Sequence, residues 1–154
     1  MFYLQVEVDS TRKNERVFVM AFIMPDEGEL WLLEEIQTAA ILNGQNLRLF
    51  KNNITPSSIS VIGDFTEADY SGYAGVTTVS FASATEVSNK AQITDAAARG
   101  FTHNGGGTAN TVYGYYYESG SGKLILAEAF SSPVTMASFG DNVSVQLTVK
   151  LNGV

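Results

Sequence analysis

Apolar and polar residues alternate without a break from Val143 to Leu151. Val143, Val145, Leu147, Val149 and Leu151 fall on one side, and Ser144, Gln146, Thr148 and Lys150 on the other. A period of two belongs to a strand with one face covered and one face wet. LRLFK (47–51) alternates in the same way, VTTVSF (76–81) is rich in β-branched residues, and GFTH (100–103) and PVTM (133–136) are further strand segments. At the start of the chain, FYLQVEV (2–8) sets Phe2, Leu4 and Val6 against Tyr3, Gln5 and Glu7. RVFVMAFI (16–23) follows after a polar turn and pairs with it as a hairpin. In a second reading Met20 is the start, and residues 1–19 are an appended segment.

One stretch has the other period. In MPDEGELWLLEEIQTAAIL, Leu30, Leu33 and Ile36 recur three apart, and Ala40 lies one turn on. Such a stripe predicts a helix over 29–41 that packs against the β-structure or a neighbour. Pro25, Asp26, Glu27 and Glu29 lie at its beginning, where acidic side chains suit the positive end of the helix dipole. Asn43-Gly44 stops it.

Turn residues punctuate the rest at short intervals: NNITPSS, Gly63, Gly72, Gly75, NGGGTAN, ESGSGK and FGDN. Many short strands with few helical segments predict an all-β fold. We expect an antiparallel β-sandwich of jelly-roll type with one short N-terminal helix. The chain reads as a single domain, 1–154, with a hairpin or arm at 1–23, the helix region at 24–43 and the sandwich at 44–154.

Composition narrows the function. With 154 residues, 45% of them hydrophobic, the chain is long enough for a real core. Charged residues are only 16%, so the surface is polar but weakly charged. A net charge of −7, with nine scattered basic residues, argues against nucleic acid as the main partner. There is no cysteine, which removes disulfides, thiolate metal sites and a cysteine nucleophile. No apolar run reaches the length of a membrane span. The opening residues place their charges after a short apolar stretch, the wrong order for a signal peptide.

Four places carry side chains capable of chemistry. The stretch TVYGYYYESGSGKLILAEAF (111–130) holds four of the seven tyrosines. In a regular strand Tyr113, Tyr115 and Tyr117 share one face, and Val112, Gly114 and Tyr116 the other. Tyrosine stripes can stack sugars, yet tyrosine is also a favoured strand residue. Both faces are apolar, so a strand covered on both sides is the simpler account. His103, the only histidine, lacks a recognisable catalytic partner and reads as an exposed residue at a loop edge. Asp64, Glu67 and Asp69 lie close enough in sequence to suggest an oxygen-ligand ion site. Their spacing departs from an EF-hand, and Asp64 equally caps a short helical turn. NGGGTAN resembles a phosphate loop only in its glycines, because the segment after it is strand-like. It reads instead as a flexible tip. No cofactor is implied.

From LRLFKNNITPSSISVIGDFTEADYSGYAGVT the sequence is similar to a family of small structural proteins of tailed bacteriophages. The likeness continues in order through GFTHNGGGTANTVYGYYY and LILAEAFSSPVTM to the final strand, spanning residues 20–151. The resemblance implies a virion component without enzymatic activity, located on a particle assembled in the host cytoplasm. The expected role is a capsid decoration (cement) protein, a homotrimer that stabilises the shell of the major capsid protein. Tyr113, Tyr115 and Tyr117, with Leu30, Leu33 and Ile36 of the helix, are the candidate assembly surface. The alternative is a tail-fibre or baseplate domain that stacks a host surface glycan on its tyrosines. A small jelly-roll enzyme ranks below both.

Overall fold

The computed structural model describes residues 25–39, 42–76, 79–87 and 90–151. The expected hairpin strands at 2–8 and 16–23, the start at Met20 and the helix residue Ala40 lie outside these.

The helix, α1 (Asp26–Thr38), begins earlier than its apolar stripe indicates. The reason is Pro25, whose extended backbone turns its carbonyl toward the N–H groups of Gly28 and Glu29, at 2.8 and 3.0 Å. The helix ends where Asn43 Nδ2 donates to the Gln37 carbonyl at 3.2 Å. Leu33 is buried, and Leu30 and Ile36 pack partly against the same core.

Eight strands follow among the described residues: β1 (Asn46–Phe50), β2 (Thr85–Glu86), β3 (Ala91–Thr94), β4 (Arg99–Thr102), β5 (Asn110–Glu118), β6 (Leu124–Met136), β7 (Asn142–Val145) and β8 (Thr148–Lys150). They form three small sheets in the orders β1-β5-β6, β2-β3-β8 and β4-β7. Every pairing is antiparallel. Among the described residues the protein is therefore mostly β with one helix.

Three strand readings take a different form. The run 143–151 is divided, with β7 paired to β4 and β8 paired to β3. The break falls where Asp95 stitches the corner. Its N–H donates to the Leu147 carbonyl at 2.8 Å, and its own carbonyl accepts from Gln146 Nε2 at 3.0 Å. Arg99 holds the buried Asp95 carboxylate through two bonds of 2.7 and 2.9 Å. Alternation survives the bend: Val143, Val145 and Leu147 are buried and Ser144, Gln146 and Thr148 exposed. Of the strand expected at 76–81, residues 77 and 78 lie outside the described residues, and the others make single bridges, Val76 to Leu47 and Phe81 to Asp95. Residues 124–130 and 133–136, read separately, belong to one long strand, β6.

The largest apolar cluster joins Leu33 of α1 to residues of all three sheets, among them Leu49, Tyr117, Ile93 and Val143. A second, smaller cluster holds Phe50, Phe65 and Tyr116. The first β-sheet separates the two, so β5 is covered on both faces.

Candidate functional site

Sequence reading singled out the tyrosine strand first. Tyr117 is fully buried; its hydroxyl donates to the Leu42 carbonyl and its ring meets Phe81 edge-on at 6.3 Å. Tyr115 is half-buried on the same face. Its hydroxyl donates to Glu128 Oε2 at 2.5 Å, and its ring lies 6.1 Å from Phe130. Tyr116, on the opposite face, stacks on Phe65 at 5.3 Å. Burial pushes the hydroxyls of Tyr116 and Tyr117 up to about 12.

Tyr113 does not share a face with Tyr115 and Tyr117. It packs with Phe50, Phe65 and Tyr116 in the smaller cluster. The cause is a register shift. Val112 pairs with Val134, but Gly114 pairs with Ala129, so β6 has extra residues between the two partners, and Pro133 is among them. Proline lacks the N–H that a ladder requires, and strands bulge at such positions. Gly114 is needed at this crossing, because a Cβ there would sit 2.2 Å from the Glu128 carbonyl oxygen and 2.6 Å from the Phe50 ring.

The six residues expected to form an assembly surface are thus divided. Leu33 and Tyr117 lie in the chain's own core and offer nothing to a partner. Leu30, Ile36, Tyr113 and Tyr115 keep part of their surface. Trp31, 62% exposed on the outer side of α1, escaped the sequence reading because it lies off the apolar stripe.

His103 overturns the expectation of an exposed loop residue. Its side chain has no accessible surface, and its ring stacks on Tyr70 with centroids 5.7 Å apart. The N–H of Gly105 donates to Nδ1 at 3.0 Å, which makes that nitrogen the acceptor. Nε2 therefore carries the hydrogen and donates to the Thr108 carbonyl at 2.9 Å. The backbone around it is tied as well: His103 N–H donates to the Asp141 carbonyl, and Gly140 N–H to the His103 carbonyl. Burial excludes water, and both ring nitrogens are engaged, so the residue holds a loop closed.

The glycine-rich segment is correspondingly pinned rather than free. Asn104 N–H reaches the Ser71 carbonyl, Ser71 N–H reaches the Thr108 carbonyl, and Thr108 N–H reaches Ser71 Oγ at 3.0 Å. Gly106 lies so close to Ser71 that a Cβ would stand 2.4 Å from its hydroxyl. Behind this loop runs an aromatic row unmarked in the sequence. Tyr73 stacks on Phe101 at 6.0 Å, and Tyr70 meets Tyr73 edge-on at 5.2 Å. The Tyr73 hydroxyl accepts from Leu49 N–H at 3.0 Å. The Tyr70 hydroxyl is buried with no partner among the described residues, and burial pushes it up to about 12.

Asp64, Glu67 and Asp69 are not brought together. Asp64 caps a 3-10 turn at Ile62–Asp64, accepting from Val61 N–H at 2.8 Å, as the capping reading expected. Glu67 takes one arm of Arg48 at 2.7 Å, while Glu118 takes the other at 2.5 Å. Asp69 binds Lys51 at 2.6 Å and Asn110 at 2.9 Å, and these bonds hold its carboxyl below the usual carboxylate value. Among the described residues no cluster of three or more histidine or acidic side chains is arranged to hold a metal ion. No described helix is long and apolar enough to cross a membrane.

Against known proteins the chain matches no family model, no curated protein and no solved structure, so the likeness to phage structural proteins stands on the motifs alone.

Proposed function

We propose that the protein is a non-enzymatic structural component of a tailed-phage virion, a capsid decoration protein that works as a homotrimer bound to the major capsid shell. The observation that carries this reading is how the polar side chains are used. His103, Asp95, Glu67, Glu118 and Asp69 are each engaged in bonds that fix the fold. Large apolar side chains meanwhile stand outside, where a partner would cover them: Trp31, Ile59, Val61, Val87 and Phe139. The weakly charged surface points the same way. We further propose that the three sheets, which share one core, make up a sandwich of jelly-roll type. In this reading contact with neighbouring copies falls to the exposed Trp31 and the half-exposed Leu30 and Ile36 of α1, not to the buried Leu33 and Tyr117.

A density map of intact particles tests the assignment. Trimeric density on the outer face of the head, into which this fold docks, is the expected result. Density on the tail, with loss of adsorption when Tyr115 is replaced by alanine in a folded chain, would instead favour a receptor-binding domain.

A further inference from the structure

We propose that Asn104 is a site of self-modification, where the His103 imidazole drives the Asn104-Gly105 pair to close into a succinimide and release ammonia. The inference does not depend on the virion reading.

The side-chain amide of an asparagine can be attacked by the backbone nitrogen of the next residue, because one chain holds the two groups side by side. Glycine in the second place favours the attack, since it has no Cβ to obstruct the approach. The chain has three such pairs, Asn43-Gly44, Asn104-Gly105 and Asn152-Gly153, the last outside the described residues. Closure needs a base for the attacking N–H and a donor for the amide oxygen as it gains charge. It also needs room at the amide carbon.

Asn104 has all of these. The nucleophile, the Gly105 nitrogen, donates its hydrogen to His103 Nδ1 at 3.0 Å. Nδ1 is the ring nitrogen without a proton, because Nε2–H is committed to the Thr108 carbonyl. Gly106 N–H donates to Asn104 Oδ1 at 3.3 Å, where it can steady developing negative charge. Gly72 leaves space at the carbon under attack, since a Cβ there would stand 2.8 Å from Asn104 Cγ. Asn104 is exposed, so ammonia can depart and water can enter.

The first pair is held differently. Asn43 Nδ2 donates to the Gln37 carbonyl at 3.2 Å, and Oδ1 accepts from Phe81 N–H at 2.8 Å. Gly44 N–H donates to the Val79 carbonyl at 2.9 Å, and an amide oxygen is no base for it. The same dipeptide is clamped at one site and supplied with a base at the other.

The step balances without an oxidant or a partner. Nδ1 takes the Gly105 proton, the Gly105 nitrogen bonds to Asn104 Cγ, and the Cγ–Nδ2 bond breaks. A proton joins the departing nitrogen, which leaves as ammonia, and the imidazole returns to its neutral form. Water then opens the ring at either carbonyl, giving aspartate or isoaspartate. Both products add a negative charge to the loop tied to Ser71 and Asp141, and isoaspartate also lengthens its backbone. Gly105 lies against the exposed Phe139, so the change reaches the outer apolar surface.

The test is peptide mapping by mass spectrometry on the full chain aged at neutral pH, native in buffer and unfolded in guanidinium chloride. Asn104 is expected to convert faster in the native chain than in the unfolded one, and Asn43 more slowly. Conversion of Asn104 no faster than in the unfolded chain would overturn the proposal, as would acceleration of Asn43 alongside it. His103→Asn then isolates the base, because its amide oxygen can accept Gly105 N–H but cannot take the proton. Native conversion should slow about tenfold or more in this variant. An unchanged rate in a folded His103→Asn chain would also overturn the proposal. Should that variant unfold, the native and unfolded rates of the unaltered chain decide alone.

Discussion

The tyrosine strand β5 and the loop that leads into it from His103 use their side chains for the same purpose, yet only one of them announces it. In β5, buried and half-buried positions mostly alternate, and three of the four aromatic rings, those of Tyr115, Tyr116 and Tyr117, fall where a period of two puts them. In the loop, a histidine and three glycines look like solvent-facing residues or a ligand cradle. They form a closed knot instead, tied by bonds to Ser71 and Asp141, far off in the sequence. Periodicity reports burial when neighbours along the chain share an environment. It reports nothing when the environment is assembled from distant segments.

The largest expected effect separates the tyrosines of β5 from one another. Tyr117→Ala removes a fully buried ring and should lower the unfolding free energy by about 3–5 kcal/mol in urea denaturation. Tyr113→Ala, on the half-covered side of the register shift, should cost well under half as much. Equal losses would mean that Tyr113 and Tyr117 share one face after all, and that the shift at Pro133 is absent.

Next comes the loop. His103→Ala empties a buried ring site and removes the bonds to the Gly105 N–H and the Thr108 carbonyl, at about 0.5–1.5 kcal/mol for each bond lost. An exposed loop histidine would cost within about 0.5 kcal/mol. Thermal or urea unfolding of this one variant distinguishes the two pictures.

A smaller and slower effect is expected in alkali. Burial raises the hydroxyls of Tyr70, Tyr116 and Tyr117 from 10.0 to about 12. A group whose folded value lies above its unfolded one supports the fold fully below the unfolded value, and that support is lost as pH rises through the folded one. Stability should therefore hold up to about pH 10 and fall between there and about 12, as the tyrosinate absorbance rises late. Complete tyrosine ionisation near pH 10 without unfolding would contradict the burial of all three rings.

Much of the fold was legible in the sequence because its signals are local. The helix stripe, the alternation of 47–51 and 143–151, and the turn at FGDN all lie within a few residues. What stayed hidden depends on pairs far apart. The corner at Asp95 and Leu147 divides an unbroken alternation between two sheets, and only Asp95 and Arg99, four residues apart, hinted at it. The extra residues near Pro133 move Tyr113 to the other face, for which the proline itself was the available clue. Asp64, Glu67 and Asp69 look like a cluster in sequence, but Arg48 and Lys51 draw two of them to separate partners.

Both regions commit their side chains inward, which leaves assembly through the outer apolar residues as the role we assign. The most direct test is the mass of the purified chain in solution, by light scattering coupled to size exclusion at micromolar concentration. A homotrimer, three times the 16.6 kDa chain, is the predicted result. A monomer that remains single at that concentration, with Trp31, Ile59 and Phe139 uncovered, would contradict it.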